Sequence, residues 1–113
     1  MGFGRWWITH GPGSPGSVAK AMAMSYNRLR DANPSASNVH LLFSTLRTRY
    51  PLMDDTTITH MVDECKGSLI ELTLIVIHRE IPAATGAMCN APSVYSEMLD
   101  VVNEVTQRYA PGA

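Results

Sequence analysis

Cysteine is scarce in this chain. Only Cys65 and Cys89 are present, and their spacing fits neither a zinc pair nor a redox C-x-x-C motif, so a disulfide scaffold and a cysteine-held metal are both excluded as organising principles. Free thiols are expected. Long apolar runs are missing too: no stretch approaches the ~18 residues that would span a bilayer. The amino terminus lacks the basic-then-apolar plan of a signal peptide, so the expected location is the cytoplasm. With 45% hydrophobic and 17% charged residues, the composition is that of one globular domain rather than a disordered chain. Its 113 residues are enough for a single core without staples.

Net charge is −1, but it is unevenly spread. Residues 1–50 carry six Lys or Arg against one Asp, and residues 51–113 carry three against nine acids. Attraction between the two halves, or between two subunits, accounts for this. Arg28/Arg30 and Arg47/Arg49 are too sparse for a phosphate-binding face, so nucleic acid is not an expected partner.

What is present is helical periodicity. The organising stretch is Thr56–Ile81, in which Ile58, Val62, Cys65, Leu69, Leu72 and Val76 recur at spacings of four and three, the stripe a helix buries. The phase survives Gly67, which predicts two helices roughly in line or one kinked at residues 66–68. Residues 69–77 are apolar nearly all round and also read acceptably as a strand, but the unbroken phase decides for helix. Upstream, a helix is expected over about Val18–Ala32, with Val18, Met22, Tyr26 and Leu29 inward, a cap at Ser14 or Ser17 and a stop at Asn33-Pro34. A second follows Ser35 or Ser37, with Val39, Leu42, Phe43, Leu46 and Tyr50 inward. A last helix starts near Asn90 or Ser93 and carries a narrow seam of Val94, Met98, Val101 and Val105.

The expected fold is therefore all-α, a single domain of four to five helices around a central apolar helix at about 69–81, with residues 1–16 as a Gly/Pro-rich lead and 17–109 as the helical core. So few helices cannot easily cover the whole circumference of the 69–81 helix. A homodimer is expected to finish the burial, with Leu69, Leu72, Val76, Val94, Met98, Val101 and Val105 at the interface.

Chemistry-bearing motifs are few. Gly11, Gly13 and Gly16 fit G-x-G-x-x-G with Asp31 downstream, but Pro12 and Pro15 lack the amide hydrogens that cradle phosphate. Helix-turn-helix recognition by Thr56, Thr57, Thr59 and His60 is opposed by Asp54, Asp55, Asp63 and Glu64 around that face. His60 and Glu64 share a helix face at i, i+4, and Glu71 and His78 lie two turns apart, yet H-E-x-x-H and paired E-x-x-H are absent. No catalytic residue, metal or cofactor is expected. The leading expectation is a non-enzymatic homo-oligomeric binding or assembly module. The alternative is a small-molecule-binding protein or small enzyme with a pocket near Trp6, Trp7 and His10 or near His60 and Glu64.

One stretch resembles a known family. Leu46, Tyr50-Pro51, Met53-Asp54, Ile58, Val62 and Gly67 stand at spacings similar to those of the three-helix CUE and UBA-like ubiquitin-binding domains, over residues 46–77 only. That resemblance implies contacts at Tyr50, Pro51, Met53 and the Ile75-Val76-Ile77 region. Arg49 departs from the pattern by replacing an apolar residue, and the terminal leucine pair is missing.

Overall fold

The computed structural model describes residues 13–82 and 92–113, and among these the chain forms five α-helices and no strand. They are α1 (Pro15–Ala32), α2 (Asn38–Arg49), α3 (Asp55–Cys65), α4 (Leu69–Glu80) and α5 (Pro92–Tyr109). Four helix starts follow one rule. The side chains of Ser14, Ser37, Asp54 and Ser68 accept hydrogen bonds from the backbone N–H three residues on, at 3.1, 3.1, 3.3 and 3.2 Å. Each cap satisfies a donor the helix cannot satisfy itself, worth about 1 kcal/mol. Helix α1 begins earlier than periodicity alone suggests, because Pro15 needs no partner for its missing N–H in the first turn.

Helices α3 and α4 are not in line. Lys66 and Gly67 both take positive φ, 51° and 82°, and two left-handed residues in succession turn the chain back on itself. Residues from both helices, including His60 and Arg79, consequently line one groove. The hydrophobic phase survives the break because each helix presents its stripe to the same core, so continuity of phase does not require continuity of axis. Asn38 secures the reversal: its side-chain amide donates to the Gly67 carbonyl at 2.8 Å and its oxygen accepts from the Tyr26 hydroxyl at 2.7 Å.

The core gathers Met22, Leu42, Leu46, Ile58, Leu72, Val76, Ile77, Met98, Val101 and Val102, all essentially without solvent exposure. Helix α1 packs on α2, α4 and α5, and α4 packs on α1, α3 and α5. The radius of gyration, 13.8 Å, is close to the about 13 Å of a compact chain of this length. The α5 seam thus finds its partner within the chain, chiefly on α1. Of the residues expected at a dimer interface, Leu69, Leu72, Val76, Met98 and Val101 are buried in the chain's own core, and Val94 and Val105 are half-buried against it. Val39, expected inward, is 61% exposed; α2 instead turns Leu41, Leu42, Thr45 and Leu46 to the core.

Among the described residues one buried side-chain oxygen, that of Thr106 on α5, lacks a hydrogen-bond partner. An unmade bond in the core costs about 1–3 kcal/mol. Thr106→Val, which keeps the shape and deletes the hydroxyl, is expected to raise stability by about 1 kcal/mol. An unchanged or lower urea midpoint would show that the hydroxyl has a partner in solution.

Candidate functional site

Two surfaces hold the candidate residues that fall within the described structure. The first is the turn between α2 and α3. Tyr50 caps α2, Pro51 prevents the helix from continuing, and Asp54 starts α3. Between them the chain bends tightly, and Arg47 pins the bend from inside: its guanidinium donates to the carbonyls of Tyr50 (3.4 Å), Pro51 (3.2 Å) and Met53, and pairs with the Asp55 carboxylate. One nitrogen of the Arg47 guanidinium, with two hydrogens to share, thereby reaches three turn carbonyls, and the Met53 N–H also donates to the Tyr50 carbonyl at 3.2 Å, which leaves the turn little freedom. At its tip Leu52 is 98% exposed, with Pro51 exposed and Met53 half-buried beside it. A groove of about 570 Å³ runs alongside, lined by Tyr50, Leu52, Met53, Thr57 and Arg79 among others.

The turn is also fastened to α4. Glu80 receives Arg49 in a two-pronged pair, 2.6 Å to each carboxylate oxygen, and accepts a hydrogen bond from the Tyr50 hydroxyl. Arg79 lies over the Tyr50 ring, 5.8 Å from its centroid. The Arg49 hydrogen bonds hold the Glu80 carboxyl below its ordinary range against the opposing effect of burial. Burial, reinforced by Glu80, pushes the Tyr50 phenol up to about 12, so it remains a neutral donor. Because the folded-state pKa of Glu80 is depressed, its contribution to stability is present above about pH 4.3, the ordinary glutamate value, and is lost as pH falls through the folded value. Denaturation midpoints measured between pH 6 and pH 3 should therefore fall more steeply for the wild type than for Glu80→Gln. Equal slopes would mean that the pair does not persist in solution.

The second surface is the groove between α3 and α4, about 740 Å³, lined by Thr56, His60, Asp63, Glu64, Ile75 and Arg79 among others. His60 Nε2 and Glu64 Oε1 are 2.9 Å apart, and both side chains are mainly exposed. Helical spacing places this pair on one face, and the structure adds Ile75 and Arg79 from α4 opposite it. No cluster of three metal-ligating side chains exists among the described residues. Replacing His60 and Glu64 together by Ala should change stability by less than about 0.5 kcal/mol, since substitutions at exposed side chains away from the core have small effects. A larger loss would reveal a structural role.

Trp6, Trp7, His10 and Cys89 lie outside the described residues, as does the small-residue segment 83–91. Cys65 is buried and its thiol donates to the Val62 carbonyl at 3.1 Å. Burial pushes its pKa up, the opposite of an activated nucleophile.

No protein-family model, no curated protein and no solved structure matches the chain. Of the contacts implied by the CUE and UBA-like resemblance, Pro51 is exposed and Tyr50, Met53 and Ile75 are half-buried, but Val76 and Ile77 have no exposed surface and cannot touch a partner. Leu52 does not stand out in the sequence, and neither the bracing role of Arg47 nor the pairing of Glu80 can be read there. The signal for Leu52 is an apolar residue placed directly after a helix-stopping proline and ahead of two capping acids. The pairing of Arg49 with Glu80 has no local signal, since they are far apart in the chain.

Proposed function

We infer that this chain is a non-enzymatic binding module that engages a folded protein through the turn between α2 and α3. The observation that carries this reading is Leu52, fully exposed at the tip of a turn whose carbonyls are held by Arg47. A lone exposed leucine is ordinary on protein surfaces. An exposed leucine on a turn already held in one shape is different, because little conformational entropy remains to be lost when a partner closes over it. Neighbouring Pro51 and Met53 enlarge the apolar contact, and Tyr50 and Arg79 supply an aromatic and a guanidinium group of the kind that dominate interface energetics.

The CUE and UBA-like resemblance over residues 46–77 implies contacts at this turn, where Pro51 is exposed and Tyr50 and Met53 are half-buried. Ubiquitin is therefore the first partner to try. Titration of ubiquitin into ¹⁵N-labelled protein should shift the amides of residues 50–54 selectively; shifts elsewhere, or none, would reject that partner. A second copy of the chain is the other partner this reading accommodates, docked on the turn and not on the α4 and α5 seams. Sedimentation equilibrium distinguishes these cases: a dimer that dissociates in Leu52→Asp supports self-association through the turn, and a dimer indifferent to that change opposes it.

The groove between α3 and α4 supports a second reading, a small-molecule site using His60 and Glu64, because these two exposed polar residues line the same groove as Arg79 and Ile75. A ligand that binds wild type and not the double Ala variant would favour it.

A further inference from the structure

Two consecutive residues at the end of α4 hold two consecutive residues at the end of α2. Glu80 takes Arg49 and Tyr50, and Arg79 covers the Tyr50 ring. None of these contacts is needed to finish α4, whose backbone closes through the Ile81 N–H to the Ile77 carbonyl at 2.8 Å. Nor do they shape the turn, which Arg47 does locally. What they fix is the position of the turn relative to α4, and α4 supplies Arg79, a wall of the groove beside Leu52.

We propose that Glu80 is the positioning residue of the docking turn, setting from the end of α4 where Pro51, Leu52 and Met53 stand relative to Arg79. Arg47 gives the turn its conformation, and Glu80 gives it its place. The pair is well suited to positioning, because a planar guanidinium held at two points fixes orientation as well as distance. Side-chain exposure of only 26% and 27% also shields it from water more than an ordinary surface pair. Glu80 has this role on the reading that the turn is the docking element, but its mechanical part is measurable with no partner present.

The test uses the full chain as wild type, Glu80→Gln and Arg49→Lys, the last keeping the charge while losing the two-point fork. In both variants the ¹⁵N relaxation of the Leu52 and Met53 amides should show increased mobility, while Ile58 in α3 and Leu72 in α4 stay as rigid as in wild type. Ubiquitin, the probe for binding, should then bind about 5-fold more weakly to either variant, the order expected when one contact element must be immobilised on association. Adding Glu80→Gln to Leu52→Ala should bring little further loss, because Glu80 acts through the turn that Leu52 tips. Unchanged mobility in both variants overturns the proposal, as does full additivity of the two substitutions. If wild type itself fails to bind ubiquitin, that partner is rejected, and the relaxation result alone decides whether Glu80 positions the turn.

Discussion

Leu72→Ala is expected to cost about 3 kcal/mol of stability, within the range for truncating a sealed leucine. Leu72 lies on α4 with no exposed surface, amid a core that also takes in Leu42, Ile58 and Val76. Removing its branched end forfeits the transfer free energy of the lost carbons. It also leaves a cavity that helices pressing from several directions cannot all collapse to fill. For a domain with a total of roughly 5–15 kcal/mol, this is a large fraction. Thermal unfolding followed by far-ultraviolet circular dichroism should show a midpoint lowered by about 10–20 °C. Leu72→Met, which conserves volume, should lose less than about 1.5 kcal/mol. A loss below about 1 kcal/mol for the alanine variant, well under the usual cost of such a truncation, would mean that this part of α4 is not enclosed as described.

Leu52→Asp should do the reverse, leaving the fold alone and removing binding. The side chain touches almost nothing within the chain, so stability should stay within about 0.5 kcal/mol of wild type. An aspartate at the tip would bring a charge into an apolar contact, and it would stand beside Asp54 and Asp55, which are already exposed. Desolvating that carboxylate without a counter-charge opposes association, and truncation of a central contact residue already costs about 2 kcal/mol or more. Partner affinity should therefore drop at least about 30-fold. Comparison of the two variants is informative because their effects are opposite: Leu72→Ala lowers stability with the turn untouched, and Leu52→Asp lowers affinity with the core untouched. Retained affinity in Leu52→Asp would remove the turn from the binding surface and direct attention to the groove at His60 and Glu64.

Much of this architecture was legible from local signals. Apolar residues at spacings of three and four marked each helix, and the caps at Ser14, Ser37, Asp54 and Ser68 are short-range bonds between residues three apart, so neighbouring residues are enough to specify them. His60 and Glu64 were placed on one face by helical geometry, and they do share it. What local spacing left open has one cause, which is that periodicity states that a face is buried and never against what. The phase running from Ile58 to Val76 allowed helices in line or a break at residues 66–68, and the two left-handed residues there make the break. The seams on α4 and α5 do not say what covers them, and within the chain α1 and the other helices cover most of their residues. Val39 sat on the predicted stripe, yet α2 rotates it to solvent.

The candidate site divides along the same line. The chain turns at Pro51 to Asp54 because proline cannot continue α2 and Asp54 caps α3. That the turn is pinned by Arg47, tied to Glu80 and tipped by an uncovered leucine emerged only from the folded chain. By itself the sequence determined the helices and their approximate ends, since those depend on hydrogen bonds and spacings within a few residues. The tertiary structure decided which seams meet, which apolar side chain is left outside and how α4 reaches back to α2, since these depend on contacts between residues far apart in the chain, which no local period encodes.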